Sequence, residues 1–258
     1  MLQLVYRSDT IMIMKVYRVA ISIPNESYIP VEAYDNHLLI ASRLGKLEER
    51  WKHEEREIRY EFGWFTTGRL LTAYAREKLA ENALKQEFDY IMMLDNDMLY
   101  PIDTVEAMID DLEKHPEIDV LAPLAFMRNP PHFAVMYIAN EGYDSALRQN
   151  YYINKFVKNY PKDKLVECDA VGFGAVMIKT ELLKKMKPPY FFSTSGAGED
   201  VWFCNKAKKE ANAKIFMDTR IKLAHLGQPI IVDEAYREKY VKDHNERVDD
   251  EHLYNKYS

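Results

Sequence analysis

The sequence has 258 residues, 47% of them hydrophobic, and 35 Lys and Arg against 41 Asp and Glu give a formal net charge of −6. That length buries a full core as one large domain or one domain with an appendage, and the acidic balance argues against a nucleic-acid backbone as partner, while leaving room for a local basic pocket for one diphosphate. No apolar run approaches the roughly 20 residues that span a bilayer, and no basic segment followed by a long apolar core opens the chain, so the expectation is a cytoplasmic protein.

The two cysteines, Cys168 and Cys204, are too few for a disulfide framework and too isolated for a zinc site. Residues 1–14 read as an edge strand or a leader. Val16–Ile23 is a β-branched strand stopped by Pro24. Pro24-Asn25-Glu26-Ser27 turns the chain, and Pro30 suits the first turn of a helix running to about Leu44. Leu47–Glu57 is densely charged and reads as a solvated helical or loop segment. Ile58–Phe62 alternates like a second strand.

Gly63–Gly68 then offers Thr66 or Thr67 as the cap of a helix to about Gln86, with Leu70, Leu71, Tyr74, Leu79 and Leu84 on its apolar face. Arg69 and Arg76, seven residues apart, fall on one side of such a helix. Its amino end with Arg69 could meet an anion, or the arginines could pair with nearby acids.

Tyr90–Leu94 is short and wholly apolar, as expected of a strand buried on both faces. Asp95 and Asp97 follow at its carboxyl end, where open α/β sheets bind their ligands. Two carboxylates so close repel unless a cation lies between them, so the pair reads as a metal site or as two solvated acids. Pro101–Lys114 is an amphipathic helix and Ile118–Phe126 another buried strand. Asn129–His132 turns into a strand at Phe133–Ile138. Asn140–Pro161 is polar and irregular in pattern; its Tyr143, Tyr151, Tyr152, Phe156 and Tyr160 suit either sugar stacking or anchoring of a loop.

Asp169-Ala170-Val171-Gly172-Phe173-Gly174 precedes an apolar strand, and its glycines allow close backbone approach. Thr180 caps a short helix ending near Lys187. Glu199-Asp200 stands at the mouth of a helix, Val201–Ala211, as cap or as general base. Lys214–Met217 is a strand, and His225 follows a further apolar run. Beyond Val232 the chain is rich in Tyr, Lys, Asp and Glu, as in a charged tail or surface helix (233–258).

Taken in order, the Asp95-Asn96-Asp97 pair, the Asp169–Ile178 segment, Gly198-Glu199-Asp200-Val201-Trp202 and His225-Leu226-Gly227 resemble the nucleotide-sugar glycosyltransferases of the GT-A fold, family 2 in style, from Tyr17 to Gly227. The resemblance implies a three-layer α/β domain over residues 15–232 with a mixed, mostly parallel central sheet. It implies Mn²⁺ or Mg²⁺ held by Asp97, His225 and Asp95, with Asp95 on the metal or the ribose. Asp200 would activate a carbohydrate or other hydroxyl acceptor, and Glu199 would hold the acceptor or the loop. The donor, a nucleoside diphosphate-sugar, would lie along Pro24, Asn25, Glu26, Arg69, Arg76 and Asn96, with Gly172, Phe173 and Gly174 lining its sugar. Many relatives carry a Tyr-Asn pair after the first strand and an aspartate after the second; neither stands here, so UDP and GDP both stay open. The alternatives are a nucleotidyltransferase, which wants a glycine-rich basic loop that Ile23–Pro30 lacks, and a non-catalytic carbohydrate-binding protein.

Overall fold

The computed structural model describes residues 2–7, 10–25, 28–54, 58–144, 149–194, 197–227 and 231–243. The chain runs β1 (Leu2–Arg7), β2 (Thr10–Ile23), α1 (Val31–His53), β3 (Ile58–Thr66), α2 (Thr72–Lys85), β4 (Tyr90–Leu94), β5 (Met98–Leu99), α3 (Thr104–Lys114) and β6 (Val120–Leu124). It continues through β7 (Met136–Asp144), β8 (Gln149–Phe156), β9 (Leu165–Cys168), β10 (Ala170–Val171), β11 (Ala175–Lys179) and α4 (Thr180–Lys184). It closes with α5 (Glu199–Ala211), β12 (Ile215–Lys222), β13 (Ala224–Leu226), β14 (Ile231–Val232) and α6 (Glu234–Asp243).

The central sheet has the order β1-β2-β4-β11-β6-β12-β9, with β3 also paired on β2. Parallel pairing of β2 with β3 and β4, and of β6 with β12, joined through antiparallel β11, leaves five strands pointing one way. β1 is hairpinned antiparallel onto the first half of β2. Two small sheets, β10-β7-β8 and β14-β13-β5, are attached to it.

Strand alternation divides the core into two layers. Tyr90, Met92 and Leu94 of β4 face a cluster that holds α1 and α3, whereas Ile91 and Met93 face one that holds α2, α4 and α5. All five β4 residues are buried, worth about 1.5–3 kcal/mol for each large side chain. The mixed, mostly parallel sheet between helical layers is the α/β architecture expected from the sequence.

Several elements depart from expectation, each for a physical reason. α1 continues to His53 because Ala33, His37, Ile40, Leu44, Leu47 and Trp51 form one buried stripe under the charged residues. β3 runs through Gly63 to Thr66. Gly63 is there for packing: a Cβ would stand 2.7 Å from the Phe88 ring. α2 consequently starts at Thr72, and neither Thr66 nor Thr67 caps it; Thr67 Oγ1 accepts from the Asn25 amide at 2.9 Å. Its buried face is Ala75, Arg76, Leu79, Ala80 and Ala83, while Leu71 and Tyr74 are exposed.

The irregular-looking 140–161 region contains the β7–β8 hairpin. Phe156 packs on Phe133 and Tyr137, and Tyr160 on Phe126, so these two aromatics anchor; the side chains of Tyr143, Tyr151 and Tyr152 lie outside the described residues. Thr180 does not cap α4 either, since its hydroxyl turns to the Phe88 carbonyl at 2.6 Å. Cys168 and Cys204 are free and buried.

Candidate active site

The carboxyl ends of β4 and β6 open on a cavity of about 310 Å³ lined by Arg76, Asp95, Arg128, Glu199, Asp200 and His225, among others. Strand register explains how distant residues meet there. β5, directly after Asp97, pairs antiparallel with β13 so that Met98 stands opposite His225. The Leu226 amide donates to the Asp97 carbonyl at 2.8 Å. As a result His225 Nε2 lies 3.2 Å from Asp97 Oδ2. The other ring nitrogen, Nδ1, is 3.0 Å from the Phe126 carbonyl oxygen. A carbonyl only accepts, so Nδ1 carries the hydrogen. Nε2 then presents either a second proton or a lone pair to the carboxylate.

Arg128 Nη2 also reaches Asp97 Oδ2, at 3.0 Å. Burial pushes the Asp97 carboxyl up, but the His225 hydrogen bond and charge, with Arg128, outweigh it and hold the pKa low. For His225 burial acts downward, and Asp97 reverses it, so the imidazole is raised.

Asp95 lines the cavity, and its side chain is about as exposed as that of Asp97, 25% against 26%, but its partners differ. Its Oδ1 accepts from Arg76 Nη2 at 2.8 Å, and Arg76 Nε donates to Glu199 Oε1 at 3.1 Å. Arg76 is only 2% exposed, while the Asp95 and Glu199 side chains, 25% and 16% exposed, keep an edge on the cavity. Arg76 also donates to the Phe173 carbonyl at 3.3 Å and lies over the Phe173 ring. Burial raises Asp95 to about 6; Arg76 pulls it down, and Asp97 and Glu199 push it back up. The Tyr100 hydroxyl is 2.8 Å from both the Asp95 and Gly174 carbonyl oxygens, and the Asp95 amide donates to Gly174 at 3.1 Å. Asn36 in turn brackets the Tyr100 backbone, accepting from its amide and donating to its carbonyl.

Asp200 is the second residue of α5 and accepts from the Val201 amide at 2.7 Å. Burial first, and the Glu199 charge second, raise it to about 6. It is therefore ionised at neutral pH yet more basic than an ordinary carboxylate. Gly172 and Gly174 form the wall facing it. A Cβ on Gly172 would stand 2.7 Å from Val135 Cβ, and the Gly172 amide donates to the Val135 carbonyl at 2.7 Å, so a side chain does not fit.

The structure thus brings together Asp95, Asp97, Glu199, Asp200, His225, Arg76 and the Gly172–Gly174 segment. Asn96 and Asn25 meet one another, with Asn96 Nδ2 donating to Asn25 Oδ1 at 2.9 Å, but neither lines the cavity, and nor does buried Pro24. Arg69 does not share a helical face with Arg76: it precedes α2 and lies over the exposed Tyr28 ring at 5.2 Å, away from the lining. Glu26 lies outside the described residues. Sequence reasoning missed Arg128, Tyr100 and Asn36. Arg128 directly precedes the Asn-Pro-Pro-His turn, a place where a cation is held near a strand end; Tyr100 and Asn36 carried no signal.

Asp97 does not itself line the cavity and reaches it through His225 and Arg128; counted with the lining acids Asp95, Glu199 and Asp200 against Arg76 and Arg128, it leaves two negative charges when His225 is neutral. Among the described residues no three His, Cys, Asp or Glu side chains converge closely enough to form an ion site by themselves. No described helix is long and apolar enough to cross a membrane.

No family model matches the chain, and no curated protein does. Among solved structures, A197 from STIV aligns over 85% of this chain and 91% of its own, with 18% identity and a TM-score of 0.52. The complex of GalNAc-T7 with UDP, GalNAc and Mn²⁺ aligns over 83% of this chain at 11% identity and a TM-score of 0.42. TarS 1–349 from S. aureus, with UDP-GlcNAc, aligns over 78% at 15% identity and a TM-score of 0.41. The chain covers 44% and 55% of those two chains, about half of each. At these identities the likeness is one of fold.

Proposed function

We propose that the protein is a divalent-metal-dependent glycosyltransferase that moves a sugar from a nucleoside diphosphate donor to a hydroxyl acceptor. The observation that carries this reading is the 3.2 Å approach of Asp97 Oδ2 to His225 Nε2, with Nδ1 pinned on a carbonyl. A hydrogen-bonded Nδ1 is how a ligating imidazole is commonly oriented, and a carboxylate with an imidazole suits Mn²⁺ better than Mg²⁺. When bound, such an ion stabilises the charge on a departing diphosphate.

In this reading Asp97 and His225 would hold the ion, Arg128 meets the diphosphate, and the Gly172–Gly174 segment of the cavity lining faces the donor sugar. Asp200 takes the acceptor's proton. The acceptor oxygen forms the new bond to the anomeric carbon while the bond to the phosphate oxygen breaks, and its electron pair leaves with the diphosphate. One displacement of this kind inverts the anomeric centre. Arg76 positions Asp95 and Glu199 without touching substrate.

Calorimetry with UDP and GDP, each with and without Mn²⁺, tests the reading and names the base. Nucleotide binding that strengthens with Mn²⁺ and loses that gain in Asp97→Ala is the expected result. Binding indifferent to metal in the native protein would sink it. A second reading, a non-catalytic carbohydrate-binding protein, draws on Arg128, which already supplies Asp97 with a cation; it expects sugar binding without metal and no donor cleavage.

A further inference from the structure

A second depression, about 860 Å³, adjoins the cavity and shares Thr72 and Glu199 with it. One wall is a stripe of α2, where Tyr74, Glu77 and Glu81 recur at three- and four-residue spacing. The opposite wall is the segment from Pro188 to Ser193. Leu71 at the start of α2 is 75% exposed, Tyr74 52% and Phe192 53%, so three large apolar side chains face water along one channel. Together with Pro188 and Pro189 they make a contiguous apolar surface beside the reacting centre, a kind of patch that monomers seldom carry without use.

The charges in this channel are of one sign, and most are engaged. Glu77 is buried and its Oε2 accepts from both the Tyr190 and Phe191 amides, at 2.7 and 2.9 Å. Glu81 pairs with Lys78, and Glu199 with Arg76. Among the described residues that line the channel there is no Lys or Arg. The cations that reach these acids, Lys78 on Glu81 and over the Tyr74 ring, and Arg76 on Glu199, are already engaged, so an anionic ligand would have to compete with the glutamates for them, which costs affinity. A densely hydroxylated chain would find few groups to replace its water, since the walls are mostly hydrocarbon.

We infer that this channel is the acceptor site and that the acceptor is an uncharged molecule bearing its hydroxyl next to an alkyl or aryl group. The hydroxyl enters between Glu199 and Thr72 towards Asp200, and the apolar portion lies on Leu71, Tyr74 and Phe192. This rests on the glycosyltransferase reading for the direction of transfer but not for the binding itself.

Binding can be read apart from turnover, because Trp202 packs against Phe192 with ring centroids 5.9 Å apart and reports on the channel by fluorescence. Titrations with methyl glucoside, octyl glucoside below its micelle concentration, and octyl phosphate are compared. Octyl glucoside is expected to bind about tenfold or more tighter than methyl glucoside. Octyl phosphate is expected to bind more weakly than octyl glucoside. Tyr74→Ala and Phe192→Ala, both at exposed positions, should each erase most of the octyl preference. Equal binding of methyl and octyl glucosides, an octyl preference untouched by both variants, or octyl phosphate as the best ligand would each overturn the inference. Transfer from a Mn²⁺-supported UDP- or GDP-sugar to the two glucosides is then assayed. Absent donor turnover with the octyl preference intact faults the functional reading alone; turnover with no octyl preference in KM faults the channel alone.

Discussion

The two aspartates of the Asp-x-Asp stretch are two residues apart and live in different environments. Asp95 is tied to Arg76, which is 2% exposed, and through it to Glu199; Asp97 meets His225 and the half-exposed Arg128 at the cavity rim. One side is a closed ionic frame in which every charge has a fixed partner. The other has one carboxylate oxygen shared by an imidazole and a half-exposed arginine. The contrast teaches that the motif divides its labour. Asp95 is tied to α2 and α5 through Arg76, and in the proposed function Asp97 is the residue that would meet the ion.

Breaking the closed side should give the largest effect. Arg76→Met leaves Asp95 and Glu199 buried against each other with no cation, and losing one partner of a buried pair costs about 3–5 kcal/mol. Urea unfolding should show that loss, and adding Asp95→Asn should recover part of it. If Arg76→Met is neutral, the frame does not exist. Breaking the open side should do the opposite. Asp97→Ala should cost on the order of 10²–10³-fold in metal-supported turnover, comparable to losing one strong electrostatic stabiliser of a transition state, with unfolding nearly unchanged. Mn²⁺ titration by electron paramagnetic resonance checks it directly. A variant that keeps native Mn²⁺ affinity would move the ligand role to Asp95.

The two sides meet at α5, where pH separates them. Asp200, raised to about 6 by burial and by Glu199, must be ionised to accept a proton. Turnover should therefore rise with pH through about 6 and flatten above it, since the neutral acid predominates below. Glu199→Gln removes the like charge, so Asp200 should ionise more readily and the rising limb should move to lower pH. A limb that moves upward, or a flat profile from pH 5 to 8, would remove Asp200 from the base role.

Much of this contrast could be read in the chain and part could not. Tyr90–Leu94 announced a doubly buried strand by its unbroken apolar run, and the acids at its end announced a site. His225 is brought beside Asp97 only by the β5–β13 pairing, which sets it opposite Met98, a contact between residues more than a hundred positions apart, and it entered through motif order. The frame was less legible. Arg76 read as an arginine pairing with nearby acids at the surface because α2 was expected to bury Leu71 and Tyr74; instead Leu71 precedes the helix, Tyr74 is exposed, and the face with Ala75, Leu79, Ala80 and Ala83 packs inward and carries Arg76 with it. The helix start was misplaced because Thr66 and Thr67 resemble caps, whereas β3 runs on through Gly63, where the Phe88 ring leaves no room for a side chain, to Thr66. Arg128 and Tyr100 act through partners distant in sequence or through backbone carbonyls, neither of which leaves a local pattern.

Tyr100 gives the smallest and most discriminating change. Its hydroxyl shares one hydrogen between the carbonyls of Asp95 and Gly174, so Tyr100→Phe removes a buried hydrogen bond without altering charge or ring packing on His37. The expected cost is about 1 kcal/mol of stability. If Asp95 belongs to a frame, that loss should appear in unfolding while the Mn²⁺ affinity stays within about twofold, a change of under 0.5 kcal/mol. If Asp95 is itself a ligand, loosening its backbone should weaken Mn²⁺ by more than the stability loss accounts for, and the division between the two aspartates would fail.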